Sequence, residues 1–223
     1  VERNELERLL NPTVRIDNWI HPRFRPPSQS ERRAARAELG LDSGAHVITT
    51  VGNCSVVKNH RALIEALPEI ASASGRTLVY LHVGSEDHGA DERILADRAL
   101  RHPAVEIRVL GNVEDVLPVL WATDVCCMPS LYEGLSIAAL EAVACGCPVV
   151  LAAVPGLTDI HEPSPSVRYV APNPAGLFEG VVGMFSQSPA ELAMVAQEVS
   201  ARIRAAHSME TQVKRLVSIY LGS

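Results

Sequence analysis

The stretch Asp124–Ala152, DVCCMPSLYEGLSIAALEAVACGCPVVLA, decides the fold because it contains a complete strand–helix–strand unit. Its two ends, Asp124–Met128 and Pro148–Ala152, carry apolar runs that do not alternate with polar residues. Such runs are typical of parallel strands that are covered on both faces. Between them, Ser136–Cys145 has helical periodicity and ends before Gly146. The stretch therefore predicts a right-handed crossover between two parallel strands.

The same alternation of short apolar runs and helical segments continues on both sides of this unit. Further strands are predicted at Val47–Val51, Leu78–Val83, Val105–Leu110 and Val167–Val170. Helices are predicted at Glu31–Leu39 with Ser30 as N-cap, and at His60–Ala73, Asp91–Arg101, Glu114–Ala122, Pro174–Phe185, Pro189–Ala206 and Met209–Tyr220. Repeated units of this kind predict a doubly wound, Rossmann-like α/β domain with additional C-terminal helices. The apolar stripe of the last helix is expected in the core.

The N-terminal residues differ in character from the rest of the chain. Residues 1–27 end in Arg25-Pro26-Pro27, and proline favours extended backbone, so this segment is predicted to be a linker before the domain at residues 28–223. The first residue is Val1 rather than Met, and we expect the sequence to be part of a longer protein. No apolar stretch approaches the roughly 20 residues that span a bilayer, and no signal peptide is visible.

Charge and cysteine content restrict the class of partner. The 223 residues carry a formal net charge of -6, which argues against nucleic acid because phosphate backbones require clustered Lys and Arg. A small anion remains compatible, since one lysine and backbone N–H groups can hold a diphosphate. The five cysteines form no CxxC pair, so we expect reduced thiols in the cytoplasm, with Cys126 and Cys127 buried.

Residues that follow the strands are the candidates for chemistry, because ligands of such sheets bind outside the carboxyl ends near the switch in strand order. Glu133 lies in the loop after one strand and Glu141 lies inside the next helix, for which Ser136 is the expected N-cap. The helix N-terminus favours a diphosphate, and carboxylates accept hydrogen bonds from sugar hydroxyls. Alternatively, Glu133 caps its loop and Glu141 is a solvated helix residue.

The Glu133-x7-Glu141 spacing within PSLYEGLSIAALEAVACGCPVV resembles the EX7E signature of the GT4 family of retaining glycosyltransferases. Four further segments of the family's pattern match in the same order between Val47 and Ile160. They are the VGR…KN loop (Val51-Gly52-Asn53 to Lys58-Asn59), the hLG turn (Val109–Val113), the D…PS segment (Asp124, Pro129-Ser130) and the GxPVV segment (Gly146–Val150). A turn at Pro155-Gly156 is similar to the family's GGxxE turn, with Asp159 in the acidic position.

The resemblance implies the donor half of a GT-B fold that binds a UDP- or GDP-sugar and needs no metal. Lys58 would neutralise the diphosphate and Glu133 would contact the transferred sugar, which makes these two the implied catalytic residues. Glu141 would bind the ribose hydroxyls. The remaining implied donor contacts are Gly52 and Asn53, the backbone of Val109, Leu110 and Gly111 at the base, and the backbone of Gly134, Leu135, Ser136, Ile137 and Ala138 at the sugar and phosphates.

The same resemblance implies that an N-terminal acceptor domain is missing from these residues, so the chain alone is expected to be inactive. Any association with the inner face of a membrane would run through that domain. Asn53 replaces the family's arginine and brings no charge. Asn53 and the missing domain therefore leave open a non-catalytic nucleotide-sugar-binding or interaction module. A sugar-nucleotide epimerase or phosphorylase on the same fold is a second alternative, against which the Glu133/Glu141 block argues. A metal site formed by His82, Asp87 and His88 is not expected, because nothing in their spacing forces them together.

Overall fold

The computed structural model describes residues 17–85, 99 and 101–221. These residues form strands β1 (His46–Val51), β2 (Leu78–Val83), β3 (Val105–Gly111), β4 (Val125–Met128), β5 (Val149–Ala152) and β6 (Val167–Val170). All adjacent pairs are parallel, and the sheet order is β3-β2-β1-β4-β5-β6. Each of the six strands predicted from the sequence is confirmed to within one residue at either end.

Helices cover both faces of the sheet, which confirms the doubly wound prediction. They are α1 (Gln29–Glu38), α2 (His60–Ser74), α3 (Leu117–Ala122), α4 (Ile137–Ala144), α5 (Pro174–Phe185), α6 (Pro189–Ala206) and α7 (Met209–Leu221). Consecutive strand residues point to opposite faces. Ile48, Cys127 and Val150 therefore pack with α2 and α5, and their neighbours Cys126 and Val149 pack with α3, α4 and α6.

The start of α1 differs from the sequence prediction, because the N-cap is Ser28 rather than Ser30. The Ser28 hydroxyl accepts a hydrogen bond from the Glu31 N–H at 3.2 Å, and the Glu31 carboxylate accepts one from the Ser28 N–H at 2.8 Å. This reciprocal capping box places the N-cap three residues before Glu31, so the helix starts at Gln29. The helix predicted from Glu114 begins at Leu117, and the one predicted at 91–101 falls almost entirely outside the described residues.

The prediction of a core position for the apolar stripe of α7 is wrong. Met209, Val213 and Tyr220 are exposed, whereas the polar Gln212 is buried and donates to the carbonyl oxygen of Ala206. Amphipathic spacing indicates an apolar face but not what covers it. Among the described residues, no helix is both long enough and apolar enough to cross a membrane.

Part of the predicted linker lies against the domain. Ile20 and Phe24 are buried among residues of α3, α4 and α6, and Ile20 forms a parallel bridge with Ser208 before α7. The indole N–H of Trp121 donates to the carbonyl oxygen of Arg25 at 3.0 Å. These contacts bring residues 20–25 to the side of the sheet that carries α4. The division of the chain into linker and domain stays a prediction.

Candidate functional site

The switch in strand order falls between β1 and β4, which are adjacent in the sheet although two strands separate them in the sequence. The chain leaves β1 toward β2 on one side and leaves β4 toward β5 on the other. The loops that follow these two strands, residues 52–58 and 129–136, meet at this point. The Leu131 N–H donates to the carbonyl oxygen of Val57 at 2.8 Å. This is the position at which parallel α/β sheets bind ligands.

An ion pair joins the two loops. Lys58 Nζ lies 2.6 Å from Glu133 Oε1, although the two residues are 75 positions apart in the chain. The Ser130 hydroxyl donates to the same carboxylate oxygen at 2.8 Å. The side chains of Lys58 and Glu133 are 27% and 11% exposed, so both charges are largely shielded from water. The structure thus brings together the two residues that the resemblance implied to be catalytic.

Asn59 fixes the end of the first loop. It adopts a left-handed backbone conformation with φ of 53°, which asparagine tolerates better than most residues. Its side-chain amide donates to the carbonyl oxygens of Pro129 and Pro172, both at 3.0 Å. Lys58 is held next to it, and its Cε would lie 3.3 Å from a Cβ added at Gly52. The lysine stem therefore passes directly over Gly52.

The second loop leads into the N-terminus of α4. The Ser136 side chain caps this helix by accepting a hydrogen bond from the Ala139 N–H at 3.4 Å, as predicted. Helix geometry gives the N–H groups of Ile137 and Ala138 no partner within the helix. The turn after β5 supports this loop from behind, because a Cβ added at Gly156 would lie 1.8 Å from the carbonyl oxygen of Gly134.

Asn53 lies in the same loop as Lys58, but its side chain contacts the loop after β2 and not the ion pair. Its side-chain oxygen accepts a hydrogen bond from the Ser85 N–H at 2.9 Å, which links the loops after β1 and β2. Val109, Leu110 and Gly111 lie at the carboxyl end of β3, on the same edge of the sheet. They are two strands, or roughly 10 Å, from β1. A ligand that touched both groups would have to lie along the edge across β2.

Glu141 lies on α4 apart from the ion pair. Partial burial raises the pKa of its carboxyl group, and the positive charge of Arg23 opposes that rise. Within residues 17–85 and 101–221, its carboxylate has no hydrogen-bond partner. Arg23 itself forms an ion pair with Asp115 at 3.5 Å. Glu141 is thus a half-buried carboxylate on α4 near a positive charge, and a role for it in binding the donor stays a prediction.

The sequence analysis did not identify three residues, Ser130, Asn59 and Arg23, as members of the site. Ser130 and Asn59 lie inside the quoted motifs, and their positions close to Glu133 and Lys58 in the sequence could have indicated their contacts. Arg23 belongs to the N-terminal segment that was interpreted as a linker. Nothing in the sequence indicated that its charge lies close enough to influence Glu141.

Residues 45–187, more than half of the chain, match the family described as "Glycosyl transferases group 1". The chain belongs to the group 1 glycosyltransferases. The matched range contains both loops, the Lys58–Glu133 pair and helix α4, and the family assignment confirms the resemblance to GT4-type enzymes that the motifs indicated.

Curated relatives agree with membership of the group 1 glycosyltransferases. The chain is 34% identical over 169 residues to D-inositol 3-phosphate glycosyltransferase of Xylanimonas cellulosilytica, covering 70% of this chain and 37% of that protein. It is 35% identical over 143 residues to 2-deoxystreptamine glucosyltransferase of Streptomyces kanamyceticus, covering 63% and 36%. The chain therefore spans little more than a third of these relatives.

The fold is shared with HepE of Anabaena, which was solved in complex with UDP and glucose. The two structures superimpose with a TM-score of 0.80 at 19% identity, over 93% of this chain and 56% of that one. At this level of identity the likeness concerns the fold alone. It confirms that the described residues form one half of a GT-B architecture.

Proposed function

We propose that this chain is the donor-binding half of a retaining glycosyltransferase and that it binds a UDP- or GDP-linked sugar without a metal ion. The observation that carries the proposal is the shielded Lys58–Glu133 ion pair at the switch point, beside the N-terminus of α4. Membership of the group 1 glycosyltransferases supports it. The UDP and glucose in the HepE complex support the class of ligand.

The ion pair gives the donor two complementary partners. Without a donor, the Lys58 ammonium and the Glu133 carboxylate neutralise each other at 2.6 Å. A nucleotide sugar supplies an anionic diphosphate and neutral hydroxyl groups, so each member of the pair can exchange its partner. Lys58 then binds a phosphate oxygen, and Glu133 accepts hydrogen bonds from the sugar. Lys58 thus keeps an anionic partner, and Glu133 exchanges its ion pair for hydrogen bonds, so neither shielded charge is left without a partner.

Charge on the leaving diphosphate grows as the sugar departs, and fixed positive charge stabilises it in a water-poor site. Lys58 is the only charged residue of the loop at 52–58, since Asn53 stands where the family has arginine. The N–H groups of Ile137 and Ala138 and the dipole of α4 add partial positive charge. Lys58 would therefore carry most of the stabilisation that this loop gives to the leaving group.

The transfer step follows from the family resemblance. The bond between the anomeric carbon and the phosphate oxygen breaks, and a bond to the acceptor oxygen forms on the same face of the sugar. The acceptor hydroxyl gives its proton to the departing phosphate oxygen. The acceptor would be bound by a domain that these 223 residues do not contain, so this step is proposed for the longer protein.

Calorimetric titration of the chain with UDP-, GDP- and ADP-sugars tests the binding proposal. The chain has two lysines, Lys58 and Lys214, which provides a matched control. Both form ion pairs at 2.6 Å, but Lys214 lies on α7 and its side chain is 74% exposed. One nucleotide class should bind to wild type and to Lys214→Ala, and much less to Lys58→Ala. Equal binding by all three proteins, or none by wild type, would refute the proposal.

A non-catalytic nucleotide-sugar-binding module is the second candidate. It is favoured by Asn53, whose side-chain oxygen is engaged with Ser85 and which brings no second cation to the diphosphate. The two candidates differ in what the longer protein does with its donor. Release of nucleoside diphosphate that depends on an acceptor supports the enzyme, whereas donor binding without turnover over a broad acceptor panel supports the module.

A further inference from the structure

A second cluster of polar side chains links the loop after β1 to the start of α2 and the end of β2. Cys54 Sγ lies 3.6 Å from His60 Nδ1 and 3.4 Å from His82 Nε2. One ligand atom from each of these three residues lies within 4.8 Å of the other two. His60 and His82 are buried, and Cys54 is partly exposed. Thiol and imidazole side chains from three separate elements thus converge on one point.

The two sulfur–nitrogen distances in the cluster match a tetrahedral zinc site. Zinc binds thiolate sulfur at about 2.3 Å and imidazole nitrogen at about 2.0–2.1 Å, which places sulfur and nitrogen about 3.5 Å apart around a tetrahedron. The two distances from Cys54 Sγ, 3.4 and 3.6 Å, fall on either side of that value. A thiol has a single proton, so it can donate a hydrogen bond to only one of the two rings at a time.

Groups behind His82 supply a second, independent argument. Metal-bound imidazole ordinarily donates its other N–H to an oxygen, which fixes the orientation of the ring. His82 Nδ1 lies 3.3 Å from Thr50 Oγ1 and 3.4 Å from the Tyr80 hydroxyl, and these two hydroxyls are 2.7 Å apart. With Nδ1 facing these oxygens, Nε2 faces Cys54. The buried surroundings therefore hold His82 in the orientation that a metal requires.

We propose that Cys54, His60 and His82 bind one zinc ion, with its fourth position left to water. A thiolate with two neutral imidazoles is a donor set that suits zinc. On binding, the Cys54 thiol would release its proton to solvent. Because Cys54 stands between Asn53 and Lys58, the ion would tie the 52–58 loop to α2 and β2. It would stabilise this loop and take no part in the proposed transfer, so the site does not depend on the proposed function.

The proposal differs from the metal site weighed in the sequence. That set combined His82 with Asp87 and His88, and the latter two lie outside the described residues. The present set shares His82 alone. Its other members, Cys54 and His60, lie far from His82 in the sequence, which is why spacing did not reveal it.

Zinc titration of the reduced chain against a chromophoric chelator tests the proposal, together with cobalt as a spectroscopic substitute. We expect one zinc per chain, and a thiolate-to-cobalt charge-transfer band with the intense visible bands of tetrahedral cobalt. Cys54→Ser should weaken zinc binding by more than about 100-fold, because loss of an outer partner alone costs about 10–100-fold. Thr50→Val, which removes such an outer partner, should weaken it by about tenfold.

Cys147→Ser provides the matched control. Cys147 is buried away from the cluster and donates to the carbonyl oxygen of Leu120 at 3.1 Å, a bond that serine can retain. This variant should bind zinc like wild type. Equal zinc affinity in Cys54→Ser and wild type would overturn the proposal. If Cys54→Ser fails to fold, the cobalt spectrum of wild type tests the proposal instead. The absence of a thiolate-to-cobalt band in that spectrum would overturn the proposal on its own.

Discussion

Replacing Lys58 with alanine removes the single charged side chain of the 52–58 loop and leaves the Glu133 carboxylate without its partner at 2.6 Å. Loss of a hydrogen bond to a charged group costs about 1.5–3 kcal/mol. The carboxylate left behind would repel the incoming diphosphate by roughly 1–2 kcal/mol at these separations. Together, these effects amount to about 2.5–5 kcal/mol, so the Kd for the nucleotide should rise by roughly 70-fold at least.

The assay is calorimetry of UDP and GDP binding at low and at high ionic strength, where the difference between Lys58→Ala and wild type should be largest at low salt. Asn53→Ala should cost less, since its side-chain oxygen is engaged with the Ser85 N–H and it carries no charge. The double variant Lys58→Ala/Glu133→Gln should recover about tenfold of the lost affinity, because the isolated carboxylate is gone.

Glu133→Gln alone separates the roles of the two partners. This variant should bind the free nucleoside diphosphate at least as tightly as wild type does, because the carboxylate no longer competes for Lys58. The preference for the nucleotide sugar over the diphosphate should fall, since the sugar loses its acceptor. If Lys58→Ala binds both nucleotides with wild-type affinity at low salt, the diphosphate site lies elsewhere and this reasoning is wrong.

Three further predictions concern other parts of the site. Gly156→Ala should cost about 1–3 kcal/mol of stability in thermal melting and weaken nucleotide binding, because its Cβ would overlap the Gly134 carbonyl oxygen, whereas Gly134→Ala meets nothing within 4 Å and should melt like wild type. Glu141→Gln should weaken UDP and UDP-sugar equally, by about 1–3 kcal/mol, and should raise the melting temperature near pH 7. The pKa of Glu141 is raised in the folded state, so the stabilisation that its protonation gives is complete below its unfolded pKa and is lost as pH rises through the folded pKa. The difference in melting temperature between Glu141→Gln and wild type should therefore disappear on acidification. A difference that stays constant with pH would contradict this. The 223-residue chain alone should transfer no sugar, and robust turnover in a radiolabelled-donor assay would show that no further domain is needed.

The fold was largely predictable because its signals are local. Apolar runs such as Val149–Leu151 mark strands that are buried on both faces, and the strands are where the runs predicted them. Ser28 was missed as the N-cap because two serines, Ser28 and Ser30, compete for the position, and the choice depends on the side chain of Glu31. The exposure of α7 could not be predicted, since periodicity defines a face but not its neighbour.

The candidate site was predictable only through motifs. Lys58 and Glu133 follow strands that are not consecutive, so their ion pair depends on the order of strands in the sheet, which local pattern does not encode. The contact of Asn53 with Ser85 and the convergence of Cys54 with two histidines depend in turn on how the loop at 52–58 closes. Such contacts are decided by tertiary packing and not by residue spacing.

A crystal structure of the chain with the nucleotide sugar that binds most tightly tests the central claim most directly. The account predicts the diphosphate between the 52–58 loop and the N-terminus of α4, with Lys58 Nζ on a phosphate oxygen and Glu133 turned to the sugar. Its base should lie toward Val109–Gly111 along the edge of the sheet. A nucleotide bound at any other edge, with the Lys58–Glu133 pair intact, would contradict the account.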